Sequence, residues 1–301
     1  MKKILLLILI LISSAHVELF AQERYVFPFD PENNKWNDTM LNKKEIVGRE
    51  RIRRIDVYKN APEGRKGAVL DNRKYYDELG RLTAVLSYLP RKGTDSVISL
   101  VDSVIYNDAT GETLLVCSAL GNDHPYLTIR TERLNDSVIK ETTIASFALP
   151  DQTGAKLDSN FCYIYFNKKG QKIRRVFDYR SDSTTEYYKY NQEGIIDSVI
   201  SYDDAMSKIF NRPTIEVYKE FWRNGLRIMQ NVNWFCVKKW IYNERWECIE
   251  HWSVRHKDPS LDVKVYYSYT NGGLLDEVKV KRGDKTTVKY YYSYSKEWPK
   301  R

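Results

Sequence analysis

The sequence lacks a long apolar segment, helical periodicity and several common catalytic motifs. Its longest apolar run, residues 4–12, is shorter than the roughly 20 residues that a helix needs to span a bilayer. No long stretch places apolar residues at positions i, i+3, i+4 and i+7, which argues against a helical fold. Nucleophile elbows, phosphate-binding glycine loops and zinc-protease helices are also absent. We therefore expect a chain built from strands, with no catalytic residue, cofactor or metal.

The first residues have the pattern of a secretory signal peptide. A basic start precedes the apolar run, and Ala21 provides a small residue before a cleavage point. We expect residues 1–21 to be a signal peptide, residues 22–48 an N-terminal segment that is partly linker, and residues 49–301 a single repeat domain. The mature chain is then extracytoplasmic, either periplasmic or secreted.

The chain carries little excess charge, with 48 Lys and Arg against 40 Asp and Glu. A mildly basic surface favours anionic partners such as acidic glycans, lipid headgroups or nucleic acid, and export argues against the last of these. We expect the partner to be an envelope protein or a polysaccharide, with no nucleic acid and no transmembrane span.

Cysteine and histidine are also scarce, with four residues of each type. Cys117, Cys162, Cys236 and Cys248 allow three disulfide pairings in an oxidising compartment, and the sequence leaves their redox state open. Cys248 and two following histidines have a zinc-like spacing, but on a strand those histidines fall on opposite faces, so we expect no metal site.

What the chain has is short runs rich in Tyr, Val, Ile and Thr, broken by Gly, Asn and Asp, which is the pattern of strands and hairpins. Alignment on Gly80, Gly194 and Gly273 places Tyr four residues before and Leu or Ile two residues after each glycine. This predicts a three-residue hairpin loop with glycine in the left-handed region and the Tyr opposite the aliphatic residue. Trp246 occupies the glycine position of one further copy, which we therefore expect to use a different loop.

The segment "YYDELGRL" (75–82) resembles the core phrase of the YD-repeat (Rhs-type) proteins, Tyr-Asp-x-x-Gly-Arg-Leu. The copies around Gly170 and Gly194 have Asn in place of Asp and lack the Arg. The resemblance extends over residues 50–298. It implies antiparallel hairpin strips in a spiral or extended sheet with a structural role, and it implies no catalytic residues.

We expect an all-β fold, an antiparallel β-hairpin repeat array of about eight or nine hairpins that forms an elongated, twisted or curled sheet. The alternative is a β-propeller, since Gly225 and Gly273 lie 48 residues apart, the length of a four-stranded blade. Residues 290–301 resemble an incoming strand without its partner, which either caps the sheet or offers an edge.

The candidate site is an aromatic patch at residues 222–252. With Tyr242 opposite Cys248 in a regular hairpin, Trp234, Trp240 and Trp252 share one face, where their indoles would stack against sugar rings. The alternative is an aromatic seam in the core.

These features predict a non-catalytic exported protein that acts as a binding or scaffold module in the bacterial cell envelope. One alternative is a glycan-binding module or glycan-active enzyme that uses the aromatic patch and the nearby Glu244, Glu247 and Glu250. Another is an outer-membrane barrel, against which we count the charges on both faces of segments 49–59 and 278–291.

Overall fold

The structure is a computed structural model that describes residues 41–60, 67–91, 94–120, 125–147, 156–179, 182–202, 205–233, 236–255, 262–283 and 285–297. The signal peptide predicted at residues 1–21 lies outside the described residues. No helix in the described ranges is both long and apolar enough to cross a membrane.

Eighteen strands and two short helices form the described part of the chain. The helices are α1 (Lys44–Arg49) and α2 (Ala205–Phe210). The strands are β1 (Arg54–Asn60), β2 (Val69–Tyr76), β3 (Leu82–Arg91), β4 (Thr94–Asn107), β5 (Glu112–Ala119), β6 (Leu127–Asn135), β7 (Val138–Phe147), β8 (Lys156–Phe166), β9 (Lys172–Tyr179), β10 (Asp182–Tyr190), β11 (Ile196–Tyr202), β12 (Thr214–Arg223), β13 (Leu226–Val232), β14 (Cys236–Tyr242), β15 (Cys248–Arg255), β16 (Val263–Tyr269), β17 (Leu275–Arg282) and β18 (Lys285–Ser295).

The strands form one sheet in chain order, and the last strand pairs with the first. Val57 of β1 lies opposite Asn72 of β2 on one side and opposite Tyr292 of β18 on the other. Because β18 is hydrogen-bonded to β1, the sheet is closed, as in a β-barrel. The all-β, antiparallel prediction is confirmed, but the open array and the propeller are both wrong. Closure pairs the backbone groups that a terminal half-hairpin would expose at an edge.

The chain divides into two compact units. The first contains residues 104–216, and its buried face includes Leu115, Ile129 and Ile164. The second contains residues 25–103 and 217–301. Its buried face is filled by fully enclosed side chains: Ile55, Val57, Val85, Met229, Leu275 and Val278. Each unit thus packs its own core beneath its strands.

The recurring glycines adopt the predicted turn. Gly80, Gly194 and Gly273 have φ between 74° and 83°, a region that side chains disfavour. Tyr76 lies opposite Leu82, as predicted, and the other two copies have the same register.

The residue three positions before the glycine closes each turn with its side chain. Oδ1 of Asp77 accepts hydrogen bonds from the backbone N–H groups of Leu79 and Arg81, and its Oδ2 accepts one from Nε of Arg81 at 2.6 Å. Asn191 accepts the corresponding two backbone bonds without an arginine partner. The Tyr-Asp phrase and its Tyr-Asn variant are therefore two forms of one capped turn.

A β-bulge follows each of these turns. In the β2–β3 hairpin Tyr76 pairs with Leu82 but Tyr75 pairs with Ala84, which leaves Thr83 as an extra residue. The same shift occurs in the β8–β9, β10–β11, β14–β15 and β16–β17 hairpins. Because side chains alternate along a strand, one extra residue exchanges the faces of everything beyond it.

Helix α1 and the residues before it pack on the turns of the second unit. Oδ1 of Asn42 accepts hydrogen bonds from the backbone N–H of Leu275 and from the hydroxyl of Tyr294. A Cβ on Gly80 would lie 2.5 Å from the carbonyl oxygen of Lys44. The boundary expected at residue 48 thus falls inside α1, and the described end of the predicted linker segment is packed.

All four cysteines are free thiols, and Cys117, Cys162 and Cys248 are buried. In the first unit, Nε of Arg175 donates a hydrogen bond to Sγ of Cys162 at 3.2 Å, with Glu141 and Glu186 close enough to interact electrostatically. Burial raises the pKa of the Cys162 thiol to about 11. Cys162, Arg175 and the two nearby glutamates all lie on strands of the first unit, so we assign this polar cluster to the core of that unit.

Candidate functional site

The aromatic patch lies in the second unit, on strands β12 to β15. We call the side of these strands that carries Trp240 the buried face, and the side that carries Trp252 the open face. Trp240 is 4% exposed and lies opposite His251, whereas Trp252 is half-buried and lies opposite Lys239.

The predicted common face for Trp240 and Trp252 is wrong, because the β14–β15 hairpin contains a bulge. Tyr242 does lie opposite Cys248, as predicted, but Ile241 lies opposite Glu250. The extra residue between them, Ile249, turns Trp252 to the other side of the sheet. Trp234, the third predicted binding residue, lies outside the described residues.

On the buried face, Trp240 stacks on His251. Their ring centroids are 5.2 Å apart and the ring planes differ by 7°. His251 is 1% exposed, and neither ring nitrogen has a hydrogen-bond partner among the described residues. Burial, with a smaller contribution from Lys238, lowers the pKa of His251 to about 3. Trp240 is therefore part of the core, as the aromatic-seam alternative predicted.

At the turn end of the patch, the guanidinium of Arg227 lies between two indoles. It is 4.4 Å from the ring centroid of Trp222 and 3.2 Å from that of Trp246. Trp246 occupies the glycine position of its turn with a φ of 60° and forms the same hydrogen bonds as the glycine copies, so the prediction of a different loop is wrong. Stacking on Arg227 offsets the left-handed strain of a bulky residue.

On the open face, Trp252 lies between two cations. The ammonium groups of Lys239 and Lys264 are 5.7 Å and 4.4 Å from its ring centroid. The indole N–H donates to Oε1 of Glu250, which fixes the orientation of the ring. The indole is thus in contact with an ammonium group from each neighbouring strand, and it also lines the apolar groove described below.

This arrangement extends across six strands. Cα pairing places one residue from each of β12 to β17 in a single row on the open face, which we call the lysine row: Lys219, Gln230, Lys239, Trp252, Lys264 and Lys281. With neighbouring strands about 4.8 Å apart, the row is roughly 24 Å long. Within the described ranges, none of its four lysines forms an ion pair.

An apolar groove runs beside the lysine row. Phe221, Ile228 and Ile241 pair side by side across β12, β13 and β14 on the open face. With Leu226 and Trp252 they line a cavity of about 190 Å³, whose rim includes Lys239. Phe221 is 38% exposed. The groove therefore offers apolar contact next to unneutralised positive charge.

The three carboxylates considered for glycan chemistry have separate surroundings. Glu247 is buried in its turn, where it binds the side chains of Asn243 and Arg245. Glu250 holds the indole of Trp252, and Glu244 is exposed. No group of three metal-ligating side chains occurs among the residues that the structure describes. A catalytic use of these carboxylates stays a prediction.

Sequence reasoning did not find the lysine row. Its residues lie 9 to 17 positions apart in the chain, and their alignment depends on the bulges in the β14–β15 and β16–β17 hairpins. The recurring turns were the available signal, because they fix the hairpin registers once the bulge is included.

Comparison with known proteins gives a weak structural likeness. No family model and no curated protein matches the chain. Among solved structures, the chain is similar to a porin-like protein from Bacteroides uniformis, with 10% sequence identity and a TM-score of 0.35, over 81% of this chain and 96% of that one. A likeness of that size does not bear on function.

Proposed function

We propose that the chain is a non-catalytic exported protein that works in the aqueous part of the bacterial cell envelope as a binding or scaffold module, built from YD-type hairpin repeats. The observation that carries the proposal is the contrast between the two faces of the strands in the second unit. The buried face is closely filled, and the open face is charged.

The filled face supports a structural role. Val85, Val265 and Val278 are at most 1% exposed, as are Tyr242 and Leu275. Close packing of this kind resists deformation of these strands. A rigid body with a fixed outer surface is what a scaffold or binding module requires.

The charged face favours an aqueous location over a lipid-facing one. A membrane-spanning barrel needs apolar side chains at the outward position of each strand, and a lysine at the bilayer midplane costs about 2–4 kcal/mol. On β16 and β17 the open face carries Lys264, Tyr266, Lys279 and Lys281. Several such lysines on adjacent strands make insertion unfavourable.

Cell fractionation tests this proposal. The full chain, with a C-terminal epitope tag, is produced in a bacterium that has an outer membrane. We expect a product shortened by about the length of the predicted signal peptide, released by osmotic shock or found in the medium without detergent. Extraction from the outer membrane by detergent alone would disprove the proposed location and support a membrane barrel.

A further inference from the structure

We propose that the lysine row and the adjoining apolar groove bind a linear acidic polysaccharide that lies across strands β12 to β17. This inference rests on the proposed function, which places the open face in an aqueous compartment where such polymers occur. It adds the ligand class and the residues that bind it.

The charge pattern points to a polymer. Lys219, Lys239, Lys264 and Lys281 recur along a line about 24 Å long, at intervals of one or two strands. A single lipid headgroup would neutralise one or two of them. A linear polymer that carries a carboxylate on successive sugar residues would neutralise all four lysines while lying along the row.

The apolar elements point to a ligand with rings. Trp252 lies in the middle of the row, with a cation on each side of it. Phe221 and Ile241 extend the apolar surface into the groove. Sugar rings have an apolar face that stacks on aromatic side chains, so an acidic polysaccharide satisfies the indole and the lysines together. An inorganic polyanion would contact the lysines alone.

The geometry of the row is preformed. Five of the six positions are fixed by backbone pairing on both sides of their strands, and Lys219 is fixed by its pairing with β13. The ring of Trp252 is held by Glu250. Little ordering is then needed on binding, which favours affinity from a modest number of contacts.

The test measures binding of the purified full chain to polygalacturonic acid, with dextran as a neutral polymer, polyphosphate as an anion without rings, and phosphatidylglycerol vesicles as a lipid surface. We expect saturable binding to polygalacturonic acid that quenches tryptophan fluorescence and weakens with added salt. The other three probes are expected to bind at least tenfold more weakly.

Variants locate the site. K239Q/K264Q and W252A are each expected to weaken binding at least tenfold, and W252F to restore most of the loss because it keeps an aromatic face. K168Q/K169Q makes the same charge change at an exposed turn of the first unit and is expected to bind like the unmodified chain. Circular dichroism checks that each variant is folded.

Several outcomes would overturn the inference. Polyphosphate binding as tightly as polygalacturonic acid would show that charge alone acts, and binding to vesicles alone would identify a lipid surface. If K168Q/K169Q and K239Q/K264Q lose the same affinity for polygalacturonic acid, binding depends on the net charge of the protein and not on the lysine row. If the protein is released without detergent but binds none of the probes, this inference is wrong and the proposed function is unaffected. If the protein needs detergent for extraction, the proposed function itself is wrong.

Discussion

The hydroxyl of Tyr190 donates a hydrogen bond to the carbonyl oxygen of Lys172, 2.7 Å away on the neighbouring hairpin. Tyr269 makes the same bond to the carbonyl oxygen of Cys248 at 2.8 Å. Each tyrosine lies four positions before the left-handed residue of its own turn, which is Gly194 or Gly273. Each acceptor lies two positions after the left-handed residue of the preceding turn, which is Gly170 or Trp246. In these two copies the recurring tyrosine therefore joins its hairpin to the preceding one.

Removal of this hydroxyl should weaken the contact between two hairpins. We expect Y190F and Y269F each to lower the free energy of unfolding by about 1 kcal/mol, since each leaves a carbonyl without its donor. Y202F is the control, because Tyr202 is 43% exposed and contacts Tyr187 through its ring. Urea denaturation measures all three, and a loss in Y202F as large as in the other two would contradict the assignment.

The turn cap at Asp77 should depend on its oxygens more than on its charge. We expect D77A to cost about 1–3 kcal/mol, because two backbone N–H groups and Arg81 lose their acceptor. D77N keeps the amide oxygen that Asn191 uses and should cost about 1 kcal/mol or less. Thermal or urea denaturation separates the two variants, and equal losses would show that the ion pair with Arg81 dominates.

Trp246 and Arg227 should be energetically coupled. We expect W246G to be more destabilising in the unmodified chain than in an R227A background, by about 1 kcal/mol, since only the former loses the stacking contact. A double-mutant cycle of unfolding free energies measures the difference. Identical effects of W246G in both backgrounds would mean that the stacking does not offset the strain at this turn.

His251 should make the protein less stable in mild acid. Its pKa is about 3 in the folded chain and about 6.5 when unfolded, so below pH 6.5 the unfolded state binds a proton that the folded state excludes. Stability then falls as the pH drops from 6.5 toward 3. Between pH 7.5 and 5.5 we expect a loss of about 1 kcal/mol from this group.

The H251F variant provides the control, because phenylalanine retains a ring against Trp240 and does not titrate. Urea denaturation of both proteins at pH 7.5 and 5.5 measures the difference. Ordinary Asp and Glu side chains stay ionised at both pH values, so they contribute little to it. An equal pH response in both proteins would place the effect elsewhere.

The sequence was a good guide to local structure. The three-residue loop, the left-handed glycine and the pairing of Tyr76 with Leu82 followed from the repeated phrase, because each depends on fewer than ten consecutive residues. The sequence was less informative about the site. Trp252 was assigned to the wrong face because the pattern does not reveal the bulge at Ile249, and one unrecognised residue exchanges the faces of the strand beyond it.

By itself, the sequence determined that the chain is all-β, that its strands are antiparallel, and where most of its turns begin, since these follow from local backbone preferences and side-chain alternation. The tertiary structure alone decided that β18 pairs with β1 and that lysines from four strands align beside Trp252. Closure joins segments more than two hundred residues apart, and it depends on the twist and register shifts accumulated over every strand between them. No short stretch of sequence determines the accumulated twist and register shifts.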